Sequence, residues 1–301
     1  MLNNARRYAL KHSLRVMGVS IETTLNCNAR CIMCGHNTKE MHGTMTKELF
    51  EKIIDDCHAS KIFTVGLSVY GEPFLDKYFF DRVKYLRKYN MSYGIFTNGS
   101  LLDPHKAQML FDLGGLVNIN FSVCGYEKKS YEDVMIGLRR DDTYKNILNF
   151  LRLKNSLKQE KLIVRISTVK THVNRKEMRR FCRFWLHQKG VNYVITADLW
   201  DRVGEKNIDA IGPRSLFYKT TNWLVPCKSL WGSIYVYFDG RVSPCCENSD
   251  KRELIIGDMN NQTLKEIFSS NILHNLRTLH LGDERGAHKI CGNCYHNLPW
   301  L

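Results

Sequence analysis

The chain has 301 residues, of which 44% are hydrophobic and 25% charged, with a formal net charge of +14. That length and composition fit one large α/β domain with a small appendage. No apolar run approaches a membrane span, and the N-terminus lacks the apolar stretch of a signal peptide. Eleven cysteines, an odd number with seven gathered in motif clusters, point to a reducing cytoplasm rather than to a secreted disulfide framework. The positive charge suits an anionic partner (a nucleotide-linked sugar, lipid headgroups or RNA) or simply a solvated lysine-rich surface. The absence of any RNA-binding motif disfavours nucleic acid.

In chain order, residues 1–18 read as an N-terminal helical extension. Arg6, Arg7, Lys11 and Arg15 stand among Leu10, Leu14 and Met17, so the helix either caps the domain or lies on a membrane surface. Ile21–Leu25 is strand-like. Leu49, Phe50, Ile53, Ile54 and Cys57 recur at helical spacing behind Thr46, a cap. Residues 62–69 are β-rich, and Phe79, Val83 and Leu86 mark a second helix. A short strand at 93–96 precedes Asp103-Pro104, a cap with proline at the first helical position. Strands at 117–123 and 162–169 flank a helix at 143–157. Met178, Phe181, Cys182, Trp185 and Leu186 share a helical face, and a sixth strand runs over 191–196. Repeated β–α units imply a parallel sheet with right-handed crossovers. In the fourth strand Val117, Ile119 and Phe121 should face helices, and Asn118, Asn120 and Ser122 the interior. Arg165 and Ser167 should do the same in the fifth. A polar interior face implies a solvated or ligand-filled lumen, because a parallel strand covered on both faces is normally apolar throughout.

Between the first strand and the first helix lie Cys27, Cys31 and Cys34. Three thiolates leave one corner of a four-iron cluster free. A zinc site completed by His36 and three buried structural thiols are the other readings. The C-x3-C-x2-C spacing resembles that of the radical S-adenosylmethionine (SAM) enzymes. That resemblance implies a partial (β/α)6 barrel over 19–203, with a [4Fe–4S] cluster whose open iron binds the amino and carboxylate groups of SAM. An electron then cleaves SAM to a 5′-deoxyadenosyl radical. Tyr70-Gly71-Glu72-Pro73 resembles the family's segment for the methionine ammonium, with Tyr70 in place of its first glycine. Thr97-Asn98-Gly99 resembles another SAM-adjacent segment. The resemblance further implies adenine contact at the Met33 backbone, carboxylate or ribose contact at Ser122, and carboxylate contact at Arg139, for which Arg140 is an alternative; Arg165 is a further lumen cation. Read without the family, the first two segments are turns and the arginines are surface charges.

After a linker at 204–226 come Cys227, Cys245, Cys291 and Cys294. The segment between carries a hairpin signal at Asp239-Gly240 and a capping box at Thr263 and Glu266. This region, 227–301, resembles the twitch domain, the shortened SPASM domain, a small α+β unit with one auxiliary [4Fe–4S] cluster; a structural zinc ribbon is the alternative. Cys57 and Cys182 read as core, and Cys124 as facing either way. Cys246, directly after a ligand, points elsewhere, against the core or toward substrate.

The resemblance is to 2-deoxy-scyllo-inosamine dehydrogenases, which implies oxidation of an alcohol carbon on a small sugar- or aminocyclitol-like substrate, anionic in view of the charge. The auxiliary cluster would accept an electron, and a flavodoxin- or ferredoxin-type donor would supply the first one. An epimerase with Cys246 as hydrogen donor is the second reading. Peptide modification is the third, disfavoured because only about twenty residues precede the first strand, and a non-enzymatic iron–sulfur scaffold is the fourth. Asp201, a proton acceptor, and Trp200 and Arg202, substrate contacts, complete the candidate set; linker packing is their other reading.

Overall fold

The computed structural model describes residues 18–35, 42–198, 211, 226–246, 252–282 and 284–294. The N-terminal extension, His36, and Trp200, Asp201 and Arg202 lie outside the described residues, as does nearly all of the linker.

Six parallel strands carry the N-terminal part: β1 (Gly18–Ile21), β2 (Thr64–Gly66), β3 (Ser92–Thr97), β4 (Leu116–Ser122), β5 (Ile163–Val169) and β6 (Tyr193–Ala197). They lie in sequence order across the sheet. Their crossovers hold α1 (Lys47–Ala59), α2 (Phe79–Lys88), α3 (Pro104–Leu113), α4 (Lys128–Val134), α5 (Arg140–Ser156) and α6 (Met178–Leu186). The caps explain where two helices start. Thr46 accepts the Leu49 N–H at the start of α1, and Asp103 accepts the Lys106 N–H at the start of α3.

The helices bury their apolar stripes against one side of the sheet. Phe121 of β4 meets Phe150 of α5 edge to face, and Tyr144 and Trp185 join α5 to α6. Two expectations shift. β1 ends at Ile21, and the run to Leu25 continues as a single bridge from Thr24 to Thr44, because the chain must leave the sheet there to form the cysteine loop. Leu186 is 60% exposed and Val117 37%; Leu186 ends α6, and Val117 lies in the first two residues of β4, before its buried stretch begins.

The C-terminal part does not form a sheet of its own. Its hairpin, β7 (Ser233–Val236) and β8 (Arg241–Ser243), turns at Asp239-Gly240, where Gly240 has a φ of +94°. β7 pairs in parallel with β1, and β9 (Gly257–Asp258) pairs with β8. The result is a nine-stranded sheet. Beyond it lie α7 (Leu264–Phe268), α8 (Asn271–Leu281) and α9 (Lys289–Asn293). Thr263 and Glu266 cap α7 reciprocally.

Further bonds fix this part to α1 and β1. Lys52 donates to the carbonyls of Met259 and Asn260, and Asp56 accepts the Leu264 N–H. Just past β1, buried Glu22 accepts from Arg252 at 2.8 Å, and the guanidinium also covers the Tyr237 ring. Burial outweighs this cation and pushes the Glu22 carboxyl up to about 7.

Candidate cofactor sites

The cysteine loop is held from both sides. Arg30–Cys31 forms a short antiparallel ladder with Met135–Ile136, and the Ile32 N–H donates to the Val134 carbonyl. Asn28 donates to Ser100 Oγ at 2.9 Å and accepts from Asn98 Nδ2 at 3.0 Å. Asn98 in turn donates its backbone N–H to Glu72 Oε2 at 2.8 Å, and Thr97 Oγ1 donates to Glu72 Oε1 at 2.7 Å. The three motifs recognised separately in the sequence are therefore one hydrogen-bonded unit at the C-terminal ends of β1, β2 and β3. Gly71 makes the junction possible. Its φ is +75°, and a Cβ there would lie 2.4 Å from the Thr24 carbonyl oxygen.

These segments line a cavity of about 400 Å³, together with Met33, Ser122, Ser167 and Cys246. Tyr70 is on its wall, and its hydroxyl donates to the Cys246 carbonyl at 2.8 Å. Ser122 and Ser167 stand side by side in register, and Asn120 donates to Ser167 Oγ at 2.7 Å, so the interior face is polar as the alternation predicts. Arg165 has the same parity, one step deeper than Ser167 and clear of the cavity lining, with its guanidinium over Tyr193. Arg139 is turned outward instead. Its side chain is 78% exposed and pairs with Asp142 at 3.2 Å, because it caps the N-terminus of α5 on the outer surface. Arg140 lies over the Tyr144 ring and donates to the Tyr126 carbonyl, also clear of the cavity lining.

The electrostatics ask for cations. Burial pushes the Glu72 carboxyl up to about 7, against three donated hydrogen bonds and with no positive side chain beside it among the described residues. Burial pushes the Cys27 thiol up to about 11, and the Cys31 thiol is raised too, by burial and by its sulfur neighbours. Such thiols ionise only when a metal replaces the proton. Cys124, left open in the sequence, also lines this cavity, and its thiol is raised to about 11 by burial.

The second site lies beneath the hairpin. Cys227, Cys245, Cys291 and Cys294 surround a small cavity walled by Leu230, Leu254 and Ile290. Burial and the neighbouring sulfurs raise the thiols of Cys245 and Cys291, the latter to about 12. No three potential ligands converge on a point among the described residues; one thiolate at each corner of a four-iron cluster does not require it. Arg285, buried here, donates to the carbonyls of Cys291 and Cys294. His280 and His288 accept the backbone N–H groups of Cys227 and Cys291. These three residues escaped the sequence reading, since nothing in their spacing separates them from surface charges.

Comparison with known proteins agrees with this arrangement. Residues 21–185 match the Radical SAM superfamily, and residues 227–295 match SPASM, an iron-sulfur cluster-binding domain. The chain belongs to the Radical SAM superfamily. A tungsten-containing aldehyde ferredoxin oxidoreductase cofactor-modifying protein of Pyrococcus furiosus is 24% identical over 245 residues, 78% of this chain and 67% of its own length. Among solved structures, BtrN in complex with AdoMet and 2-DOIA superposes with a TM-score of 0.61 at 19% identity, covering 94% of each chain. Streptococcus suis SuiB bound to its precursor peptide SuiA gives 0.72 at 13% identity, covering 96% of this chain and 74% of SuiB. The radical SAM enzyme fold is thus established, with SAM, a SAM-binding [4Fe–4S] cluster and an auxiliary iron–sulfur cluster as its cofactors. The donor sets fit these groups: three thiols beside an open cavity with an uncompensated carboxyl, and four thiols around a closed one. No helix among the described residues is long and apolar enough to cross a membrane.

Proposed function

We infer that this enzyme oxidises an alcohol carbon of a small, sugar- or aminocyclitol-like substrate. Bound together, the first cluster and SAM supply a 5′-deoxyadenosyl radical that takes a hydrogen atom from a C–H bond. Cys27, Cys31 and Cys34 hold that cluster in this reading, and Glu72 takes the methionine ammonium. Met33, Tyr70, Gly71, Thr97, Asn98 and Ser122 shape the rest of the SAM pocket. The substrate radical must then lose an electron and a proton to become a ketone. The observation that carries the oxidase reading is the position of Cys246. It lines the SAM cavity and directly follows Cys245 of the second site, so the auxiliary ligand loop is a wall of the reaction chamber. The Tyr70–Cys246 hydrogen bond holds that wall in place.

The polar lumen supports a small hydrophilic substrate. Asn120 and Arg165 lie in one register row, with Phe96 and Tyr193, each 55% exposed, at its ends. The Phe96 ring, on the cavity wall, can cover a sugar face. The Pyrococcus relative, a cofactor-modifying protein by name, also favours a small molecule over a peptide. A flavodoxin- or ferredoxin-type donor would supply the first electron in a cytoplasmic setting. Asp201 and Arg202, from the segment after β6, are assigned the proton acceptor and a substrate contact.

The same Cys246 position favours one second reading, an epimerase in which its thiol returns a hydrogen atom. Anaerobic turnover with SAM, dithionite and a panel of carbinol-deuterated sugars and aminocyclitols separates the two. The oxidase gives one ketone per deuterated 5′-deoxyadenosine, and Cys246→Ala keeps the product. Inverted alcohol in place of ketone, lost in Cys246→Ala, would overturn the oxidase reading.

A further inference from the structure

We propose that His280 is a hydrogen-bond donor to the auxiliary cluster and holds its reduction potential up. The proposal rests on the four thiols holding a cluster and not on the identity of the substrate. Backbone N–H groups of ligand cysteines are ordinary donors to cluster sulfur, but two of them are diverted here. The Cys227 N–H goes to His280 Nδ1 at 3.3 Å, and the Cys291 N–H goes to His288 Nδ1 at 3.2 Å. An imidazole that accepts at Nδ1 carries its proton on Nε2. In His280 that Nε2–H has no partner among the described residues, and the residue is only 4% exposed.

A buried N–H without an acceptor is rare in folded proteins and marks an unfilled role. His280 stands on the wall of the four-cysteine cavity, where the other wall groups offer it no acceptor. Leu230, Leu254 and Ile290 are apolar, Arg285 is itself a donor, committed to the carbonyls of Cys291 and Cys294, and the Ser229 hydroxyl makes no hydrogen bond with His280 Nε2. The acceptor that satisfies Nε2–H is therefore the sulfur of the bound cluster. A hydrogen bond to cluster sulfur stabilises the more negative, reduced state and so raises the potential. An auxiliary cluster that must take an electron from a substrate radical benefits from that bias, and His280 thereby couples the fold of α8 to the direction of electron flow.

The test uses the full chain carrying Cys27→Ala, Cys31→Ala and Cys34→Ala, which leaves only the auxiliary cluster. An EPR-monitored redox titration compares this parent with His280→Leu and His280→Gln. With four irons retained, His280→Leu should lower the ratio of reduced to oxidised cluster about tenfold at a fixed ambient potential, equivalent to a midpoint about 59 mV more negative. His280→Gln, which keeps an N–H at similar reach, should recover most of that change. An unchanged midpoint in an iron-replete His280→Leu, or an equal drop in His280→Gln, would overturn the proposal. Should His280→Leu fail to hold iron, the parent labelled with 15N-histidine decides. Nitrogen hyperfine coupling on the reduced cluster that survives His288→Asn supports the donor, and no coupling overturns it. A parent that binds no iron at all would sink the auxiliary-cluster reading itself, a result distinct from a normal cluster at an unmoved potential.

Discussion

The two sulfur sites of this protein differ in what they leave open. At the first, three cysteines come from one loop, and the wall around about 400 Å³ sets a carboxyl, hydroxyls and backbone at strand ends among apolar side chains such as Met33, Val69 and Val169. At the second, four cysteines arrive from three separate segments and the rest of the wall is mainly apolar. An incomplete ligand set beside polar groups binds a reactant; a complete set in an apolar shell stores or passes an electron. The hairpin joins the two, because β7 pairs with β1 and the Cys245–Cys246 turn at its end touches both cavities.

The largest expected effect removes the closed site. Cys294→Ala should lose the auxiliary irons, about four of about eight, and abolish ketone formation while SAM is still cleaved; iron analysis and product counting check this. Next, Gly71→Ala should strain the junction of the open site by about 1–3 kcal/mol and prevent SAM binding, read by chemical denaturation and by SAM titration.

Glu72 sharpens the contrast through pH. Burial pushes its carboxyl up to about 7, so below that pH it is neutral and, in the proposed role, would have to release a proton to hold the methionine ammonium. SAM affinity should therefore fall about tenfold per pH unit below 7, and Glu72→Gln should bind weakly with no such slope. For folding the sign is opposite. A raised carboxyl favours the protonated native state, so in SAM-free protein its contribution to stability is lost as pH rises from about 4.5 toward 7.

Tyr70→Phe removes one hydrogen bond between the sites, about 0.5–1.5 kcal/mol, and should loosen coupling, seen as excess 5′-deoxyadenosine per ketone. The smallest change is Thr263→Ala at the start of α7. It should cost about 1 kcal/mol of stability by thermal melting and leave both iron counts intact.

The sequence made the open and closed sites legible because ligand number and spacing are local facts: three cysteines within eight residues, and a CxxC pair completing four. The Gly-Glu-Pro and Thr-Asn-Gly segments were legible for the same reason, although only the fold shows that Glu72 binds them together. Alternation in β4 and β5 correctly put Ser122 and Ser167 on the interior. What sequence could not show depends on tertiary geometry. Arg139 has the composition of an anion site, yet it projects outward from the start of α5. His280 meets Cys227, 53 residues away in the chain, only after α8 folds back, and Arg285 reaches the Cys291 and Cys294 carbonyls only through the local fold after α8. The C-terminal part reads as a separate unit, because nothing local tells that β7 will choose β1 as its partner.

The most direct test of the two-site account is iron and sulfide content after anaerobic reconstitution, in the wild type and in the Cys27→Ala, Cys31→Ala, Cys34→Ala variant. The account predicts about eight irons falling to about four, with SAM binding lost and the remaining cluster still reducible. About four irons falling to none would contradict it, because the second set of cysteines would then hold no cluster and the electron acceptor would be gone.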